Sequence, residues 1–225
     1  MMIGYNPVES MTGNNGRQVI VVLEQASLET VKTAKGYQLL NCDDHKGIHK
    51  KYDKDPSLSR PDILHQELMA LLDSPLNKAG LVKVYIRTLK GIVVDVSSQM
   101  RIPRTYKRFA GLMIQLLHTL KIRSSDGNQT LLNVIKNPVT RYLPANCQKY
   151  AMSCSGTLIN PWDFVEKLPI DEPIVFVIGA MAHGSITKEN TNYVDEIISI
   201  SEYPLSGAQA ITRLLNAFER HWGIL

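Results

Sequence analysis

Residues 101 to 109 read Arg101-Ile-Pro-Arg104-Thr-Tyr-Lys-Arg108-Phe. The three arginines stand at i, i+3 and i+7, a spacing that on a helix gathers them on one side, opposite a stripe of leucines. A guanidinium grips phosphate through two N–H donors at once and stacks flat on a base. The first turn of a helix adds unpaired backbone N–H groups that favour an anion. Tyr106 and Phe109 interleave the charges, as on surfaces that stack RNA bases. With no acid near them in the sequence to pair them, these residues point to nucleic acid rather than to a merely solvated helix face.

A second pattern is Val175-Phe-Val-Ile-Gly179-Ala-Met-Ala-His-Gly184-Ser185. An apolar run delivers two glycines, where backbone can approach a ligand closely. The G-x-x-x-x-G spacing is that of a phosphate loop, but Lys-Ser/Thr does not follow, and no G-x-G-x-x-G follows any strand. Triphosphate and Rossmann dinucleotide sites are therefore disfavoured. The loop by itself reads equally well as a ligand turn or as a plain strand-to-loop turn. Cys42-Asp-Asp-His45, with His49, gathers thiol, carboxylate and imidazole, but no second Cys or His pair completes a tetrahedral shell. We read it as a structured loop and expect no metal. His65 and His118 read as packing or surface residues and Cys147 and Cys154 as inert thiols, and no G-x-S-x-G nucleophile motif occurs.

Charge supports the first pattern. Net charge is only +4, with a sequence pI of 8.9. Yet between Asp95 and Asp126 there is no acid, while Arg101, Arg104, Lys107, Arg108, Lys121 and Arg123 are all basic. From Asn160 to Glu202 the balance reverses: Asp163, Glu166, Asp171, Glu172, Glu189, Asp195, Glu196 and Glu202 face only Lys167 and Lys188. A basic centre and an acidic C-terminal third imply one concentrated anion-binding surface.

These residues need a scaffold. The 225 residues are 44% apolar and 20% charged, a globular composition that buries a core without disulfide or metal. Three scattered cysteines exclude a disulfide framework. No apolar run approaches the roughly 18 residues of a membrane span, and the start of the chain has no apolar signal segment. The expectation is a soluble protein of a reducing compartment, with no membrane association. Residues 1–16, rich in Gly and Asn, read as a disordered arm, and residues 17–225 as one domain. Gln18–Leu23 and Tyr37–Cys42 read as strands, and Asp43–Leu58 as loop. Ser59 is the expected cap of a helix opened by Pro61 and Asp62 and buried through Leu64, Leu68, Leu71 and Leu72. A hairpin inserted at about 83–97 follows, then a helix from about Pro103 to Lys121 with Phe109, Leu112, Met113, Leu116, Leu117 and Leu120 inward. The stretch from Leu131 to Lys136 stays ambiguous. Tyr150–Cys154, Ile174–Ile178 and Glu196–Ser201 read as strands, Trp162–Leu168 as a helix, and Ser206 with Gln209 as the capping box of a last helix. Strands alternating with helices predict an α/β fold with a largely parallel sheet covered on both faces by helices.

Taken together, QVIVVLEQASLE (18–29), LLNCDDH (39–45), RPDILHQ (60–66), LLDSPLNKAG (71–80) and RIPRTYKRFAGLMIQLLH (101–118) are long and unusual segments. IKNPVT (135–140), VIGAMAHG (177–184) and ISEYPLSGAQA (200–210) follow in order. Over essentially residues 17–225 the chain resembles the ribosome-biogenesis pseudouridine N1-methyltransferases of small-subunit rRNA, a family of SPOUT methyltransferases, and its eukaryotic branch more than its archaeal one. That resemblance implies a C-terminal trefoil knot, a homodimer, and S-adenosyl-L-methionine as methyl donor, leaving S-adenosyl-L-homocysteine. It implies a cofactor site at Met152, Gly179, Gly184, Ile200, Ser201, Glu202, Tyr203, Pro204 and Leu205. It implies an RNA site at Arg60, Arg101, Arg104 and Arg108, with Asp62 holding Arg60. The partners implied are the small-subunit rRNA precursor and pre-ribosomal assembly proteins, in the nucleus and nucleolus.

Methylating N1 of pseudouridine requires loss of its N–H proton and in-line attack on an already activated methyl group, so neither a metal nor a covalent nucleophile is needed. Positioning alone supplies about 7–11 kcal/mol when reacting atoms are held near contact. No general base is assigned from sequence: Asp62 is the candidate, with bracing of Arg60 as its alternative role. The competing reading is a non-catalytic assembly factor that binds pre-rRNA with the same arginines. A small-molecule enzyme leaves the acid-free window unexplained.

Overall fold

The structure is a computed structural model that describes residues 16–187 and 191–225. The expected N-terminal arm, apart from Gly16, lies outside the described residues. In chain order the elements are β1 (Gln18–Ala26), a ribbon of β2 (Thr30–Thr33) and β3 (Gly36–Leu39), α1 (Lys46–Lys51), α2 (Pro61–Leu72) and α3 (Pro75–Lys78). Next come β4 (Val82–Thr88), β5 (Val93–Val96), α4 (Tyr106–Thr119), β6 (Lys121–Arg123) and β7 (Thr130–Ile135). The chain ends with β8 (Lys149–Leu158), α5 (Pro161–Glu166), β9 (Pro173–Gly179), β10 (Glu196–Ser199) and α6 (Gly207–Trp222).

Strand β1 sits at the heart of the main sheet because Val19 to Leu23 are buried on both faces, the signature of a central parallel strand. The eight-stranded order is β10-β8-β9-β1-β4-β5-β7-β6. The first five strands run parallel, and β5, β7 and β6 continue antiparallel. The hairpin over 83–97 is therefore no appendage: β4 pairs with β1 along its length and carries the sheet outward. The run from Leu131, ambiguous in sequence, is strand β7.

Successive β1 side chains feed opposite cores. Val19, Val21 and Leu23 meet the leucines of α2, Phe109, Met113 and Leu116 of α4, and Ile211, Leu214, Leu215 and Phe218 of α6. Each such side chain contributes about 1.5–3 kcal/mol when fully buried. Ile20 and Val22 face Val139, Leu143, Cys147, Ile186 and Val194. The two coverings differ in kind: helices pack on the first face, whereas a 3-10 turn (Val139–Tyr142) and extended segments close the second.

Several local expectations shift. The second predicted strand forms only over Gly36–Leu39, and it pairs with β2 in a separate ribbon. Residues 43–58, expected as loop, contain α1 and a 3-10 turn at Pro56–Leu58 capped by the Asp55 carboxylate, which accepts from the Ser57 N–H at 2.8 Å. Ser59 does not cap α2. The N-cap is Arg60, because Pro61 occupies the first helical position, and the Ser59 carbonyl instead accepts from the Cys42 N–H at 2.9 Å. Helix α4 begins at Tyr106 rather than near Pro103, and the Pro103 carbonyl is held by the His65 ring at 2.7 Å. Leu120 ends α4 in a left-handed conformation (φ 62°) and is exposed, not core.

Candidate functional site

A cavity of about 490 Å³ opens at the carboxyl ends of β8, β9 and β10, where ligands of open parallel sheets bind. Met152, Ser153 and Cys154 enter it because β8 bulges. Tyr150 and Ala151 pair with Glu196 and Ile197, but the next pairs are Thr157–Ile198 and Leu158–Ser199. The intervening residues loop out of register and turn their side chains from the ladder. Gly156 permits this, since a Cβ there would lie 2.6–2.8 Å from the backbone of Ile197 and Ile198. Strand β9 ends at Gly179, and the chain then turns through Met181, Ala182 and His183 to Gly184, whose φ of +98° favours glycine.

The opposite wall is Ile198 to Ser201 and the exposed turn Tyr203-Pro204-Leu205, leading into the start of α6. Ser206 caps that helix, its hydroxyl accepting from the Gln209 N–H at 3.3 Å. Met152, Gly179, Gly184, Ile200, Ser201, Tyr203, Pro204 and Leu205 thus converge on one cavity. Glu202 is exposed on the same turn but does not line it. The walls are apolar side chains of strand ends interleaved with loop backbone, a lining and volume suited to a nucleoside with a short polar tail.

A buried carboxylate braces the chain on either side of residues 188–190. Glu24 is 1% exposed. It receives the Tyr193 hydroxyl at 2.9 Å and Arg87 Nη1 at 3.0 Å, while its backbone carbonyl takes the Ala180 N–H at 2.8 Å. Burial, and then the Glu24 charge, push the Tyr193 phenol far up, so it stays protonated and donates.

Arg60, Ile63 and Gln66 of the α2 start close the third side of the cavity. Arg60 Nε and Nη2 both donate to Asp62, at 2.9 and 2.7 Å. The guanidinium holds the Asp62 carboxyl below its usual range, against the opposing effect of partial burial. A carboxylate engaged on both oxygens and stabilised in its charged form is a poor proton acceptor near neutrality. Its geometry is that of a brace for Arg60.

Arg101, Arg104 and Arg108 do not share a helix face. Arg101 and Arg104 lie in the extended segment before α4, because Pro103 disfavours helix at Ile102. Only Arg108, exposed in the first turn of α4, is helical. Nor is the cluster without an acid: Asp73, at the end of α2, meets Arg104 Nη2 at 2.8 Å. Arg101 and Arg104 line a separate groove with Met69, Leu72 and Asp73. His65 ties this segment to the cavity side. It is buried in α2, stacks on Phe109 with centroids 4.5 Å apart, and bonds the Pro103 carbonyl.

Cys42, His45 and His49 serve the ribbon instead. His45 Nδ1 accepts from the Asn41 N–H at 3.1 Å and its Nε2 meets Gln38 Oε1 at 2.9 Å, while His49 Nε2 meets the Asn41 carbonyl at 3.2 Å. Sequence patterns alone flagged the 179–184 loop and the arginines. They carried no signal for Ile63, Gln66 or the Ser153–Cys154 bulge, which face the cavity only through long-range pairing.

A family model described as EMG1/NEP1 methyltransferase matches residues 21–219. The chain is similar to the Homo sapiens protein "Ribosomal RNA small subunit methyltransferase NEP1", 53% identical over 210 residues, covering 93% of this chain and 84% of that one. The Drosophila melanogaster protein of the same name is 51% identical over 215 residues, again covering 93% and 84%. A Saccharolobus solfataricus relative, "Ribosomal RNA small subunit methyltransferase Nep1", is 34% identical over 183 residues, covering 80% of this chain and 78% of its own. Among solved structures, Archaeoglobus fulgidus Nep1 bound to S-adenosylhomocysteine matches with a TM-score of 0.69 at 23% identity, covering 92% of this chain and 99% of that one. That likeness shows the fold.

Proposed function

The chain belongs to the EMG1/NEP1 methyltransferase family, and from that premise we propose that it transfers a methyl group from S-adenosyl-L-methionine to N1 of a pseudouridine in small-subunit ribosomal RNA. The observation that carries this reading is the single cavity into which Met152, Gly179, Gly184 and the 200–205 turn converge, with Arg60 at its edge. In this reading Met152, Gly179, Gly184, Ile200, Ser201, Tyr203, Pro204 and Leu205 hold the cofactor, and Glu202 shapes the same turn. The cofactor supplies a sulfonium methyl group that is already activated for attack by nitrogen. The apolar strand ends exclude water around that methyl group, and the loop backbone between them supplies polar contacts.

Arg60 holds the RNA backbone beside the cavity mouth, and Asp62 keeps the guanidinium aimed. Arg101, Arg104 and Arg108 extend the phosphate contacts along the neighbouring surface. The target base leaves its stack to reach the cofactor. Methylation of N1 would release its proton to solvent water, since Asp62, held in its charged form on Arg60, braces rather than accepts it. A C-terminal segment threaded as a trefoil knot is part of the same reading. Its support is that β10 pairs with β8, not β9, and that the segments following β9 and β10 line one cavity. A homodimer, pre-ribosomal assembly partners and a nucleolar place of work complete the proposal.

The test is methyl transfer from labelled S-adenosyl-L-methionine to two stem-loop RNAs that differ only in uridine or pseudouridine in the loop. Label in the pseudouridine RNA alone, recovered as N1-methylpseudouridine, is the expected result. Salt-sensitive binding of both RNAs with label in neither would overturn catalysis and leave a binding-only assembly factor.

A further inference from the structure

A second concave surface takes no part in holding the cofactor. A groove of about 1080 Å³ runs between the β2–β3 ribbon, α1 and the exposed side of α4. Lys32 and Lys35 line it from the ribbon, Lys51 from the end of α1 and Lys107 from the first turn of α4. All four are exposed, and none is ion-paired among the described residues. The one acid among the lining residues, Asp44, is turned to the Asn41 amide at 3.0 Å. Lys54 and Lys90, by contrast, share Glu29 at 2.7 and 3.1 Å. Four lysines against one carboxylate leave the groove with a net positive charge on a shaped surface.

That surface is wired in place. Gln38, Asn41 and His45 form its floor through the hydrogen bonds between the ribbon and the α1 start, so the lysines project from a fixed base. Two exposed aromatic rings stand next to these lysines, outside the groove lining: Tyr37 is the register partner of Lys32, and Tyr52 follows Lys51. Tyr37 stands edge-on to His118 at 4.6 Å, and Tyr52 lies under Lys51 Nζ at 5.2 Å. The groove lies near Arg60 while sharing no lining residue with the cavity. Its floor includes Tyr106, whose phenol is pushed up by burial and by the nearby Asp62 charge, and Asp62 is the partner of Arg60.

A net positive groove beside exposed aromatic rings, close to a site that handles RNA, fits single-stranded nucleic acid. We propose that this groove holds the single-stranded RNA that flanks the target loop, with phosphates on Lys32, Lys35, Lys51 and Lys107 and bases stacked on Tyr37 and Tyr52. The proposal rests on the reading that the chain acts on RNA. An acidic protein segment would meet the same lysines but leave the two exposed rings and the proximity to Arg60 and Asp62 without a role.

The experiment compares a minimal stem-loop with the same stem-loop carrying a single-stranded flank of about ten nucleotides, within the span one basic groove covers. Wild-type protein is expected to bind the flanked RNA more tightly. The variant K32Q/K35Q/K51Q should lose that gain, about 10- to 100-fold at moderate salt, and its log–log salt slope should fall by about 2, at about 0.7 per phosphate contact. Its affinity for the minimal stem-loop and its methyl transfer to that RNA should not change. An unchanged gain from the flank would overturn the proposal. So would a variant that lost binding only to a polyglutamate peptide. Failure of the underlying RNA reading is seen separately, as unchanged binding of the minimal stem-loop by Arg60→Ala together with Arg101→Ala.

Discussion

Arg60 and Asp62, two residues apart at the start of α2, form a two-pronged ion pair in which Nε and Nη2 of one side chain meet both oxygens of the other at 2.9 and 2.7 Å. Pro61 between them starts the helix and holds the backbone that brings the two side chains together. Arg60 stands at the edge of the cavity, and Asp62 lies near Tyr106 in the floor of the lysine groove.

Arg60→Ala should weaken stem-loop binding by about tenfold, as loss of a charge-assisted contact implies, with S-adenosyl-L-homocysteine affinity unchanged by calorimetry. Asp62→Asn should weaken RNA binding less, because the arginine survives unbraced. Asp62 sits below its ordinary value of 3.8 in the folded chain, so its contribution to stability is present above that value and fades as pH falls through the lowered one. Wild type and Asp62→Asn should differ in Tm at neutral pH and converge in acid. A parallel offset down to the lowest pH would contradict the pairing.

In the proposed reading, Asp73 competes with RNA for Arg104. Both side chains are exposed and the ion pair at 2.8 Å is worth about 0.2–1 kcal/mol. Asp73→Asn should therefore raise stem-loop affinity by no more than about fivefold. Arg104→Ala should lower it and reduce the salt slope by about 0.7. Filter binding across a salt series reads both effects, and a weaker Asp73→Asn complex would argue against the competition.

Glu67 is fully buried in α2, and neither carboxylate oxygen has a hydrogen-bond partner among the described residues. Desolvation raises its carboxyl well above the usual 4.5. A proton is thus bound in the folded chain where the unfolded one has released it, and stability falls as pH climbs above 4.5 toward the raised value. Glu67→Gln removes that titration. Its Tm should match wild type near pH 4 and exceed it at pH 8 by about 2–8 °C, from about 1–2 kcal/mol in a chain of this size. Equal Tm values at pH 8 would refute the buried, unpartnered acid.

Gly184 holds a φ of +98° in the cavity wall. Gly184→Val should strain this turn by about 1–2 kcal/mol and raise the Kd for S-adenosyl-L-homocysteine about tenfold. RNA binding in the absence of cofactor should remain. Simultaneous loss of both would point to unfolding of the loop rather than to a local change in the site.

Much of the scaffold was legible because local chemistry and tertiary demand agree. The buried runs of β1 and β9, the proline that opens α2, the period of α4 and the Ser206 cap each carry their own signal. The segment 101–105 was misread for a physical reason. Helical spacing among arginines does not oppose a proline that disfavours helix in the residue before it, nor a histidine 38 positions away that fixes its carbonyl.

Residue types and their order determined which chemistry this protein carries: arginines for phosphate, glycines for close backbone approach, and motifs that mark a methyltransferase. Tertiary structure alone decided where that chemistry meets. Met152 reaches the cavity because β8 slips register against β10, Arg60 because α2 packs beside the ends of those strands, and the groove lysines because a ribbon folds back onto α4. Register and packing depend on partners far away in the chain, and short-range spacing does not encode them.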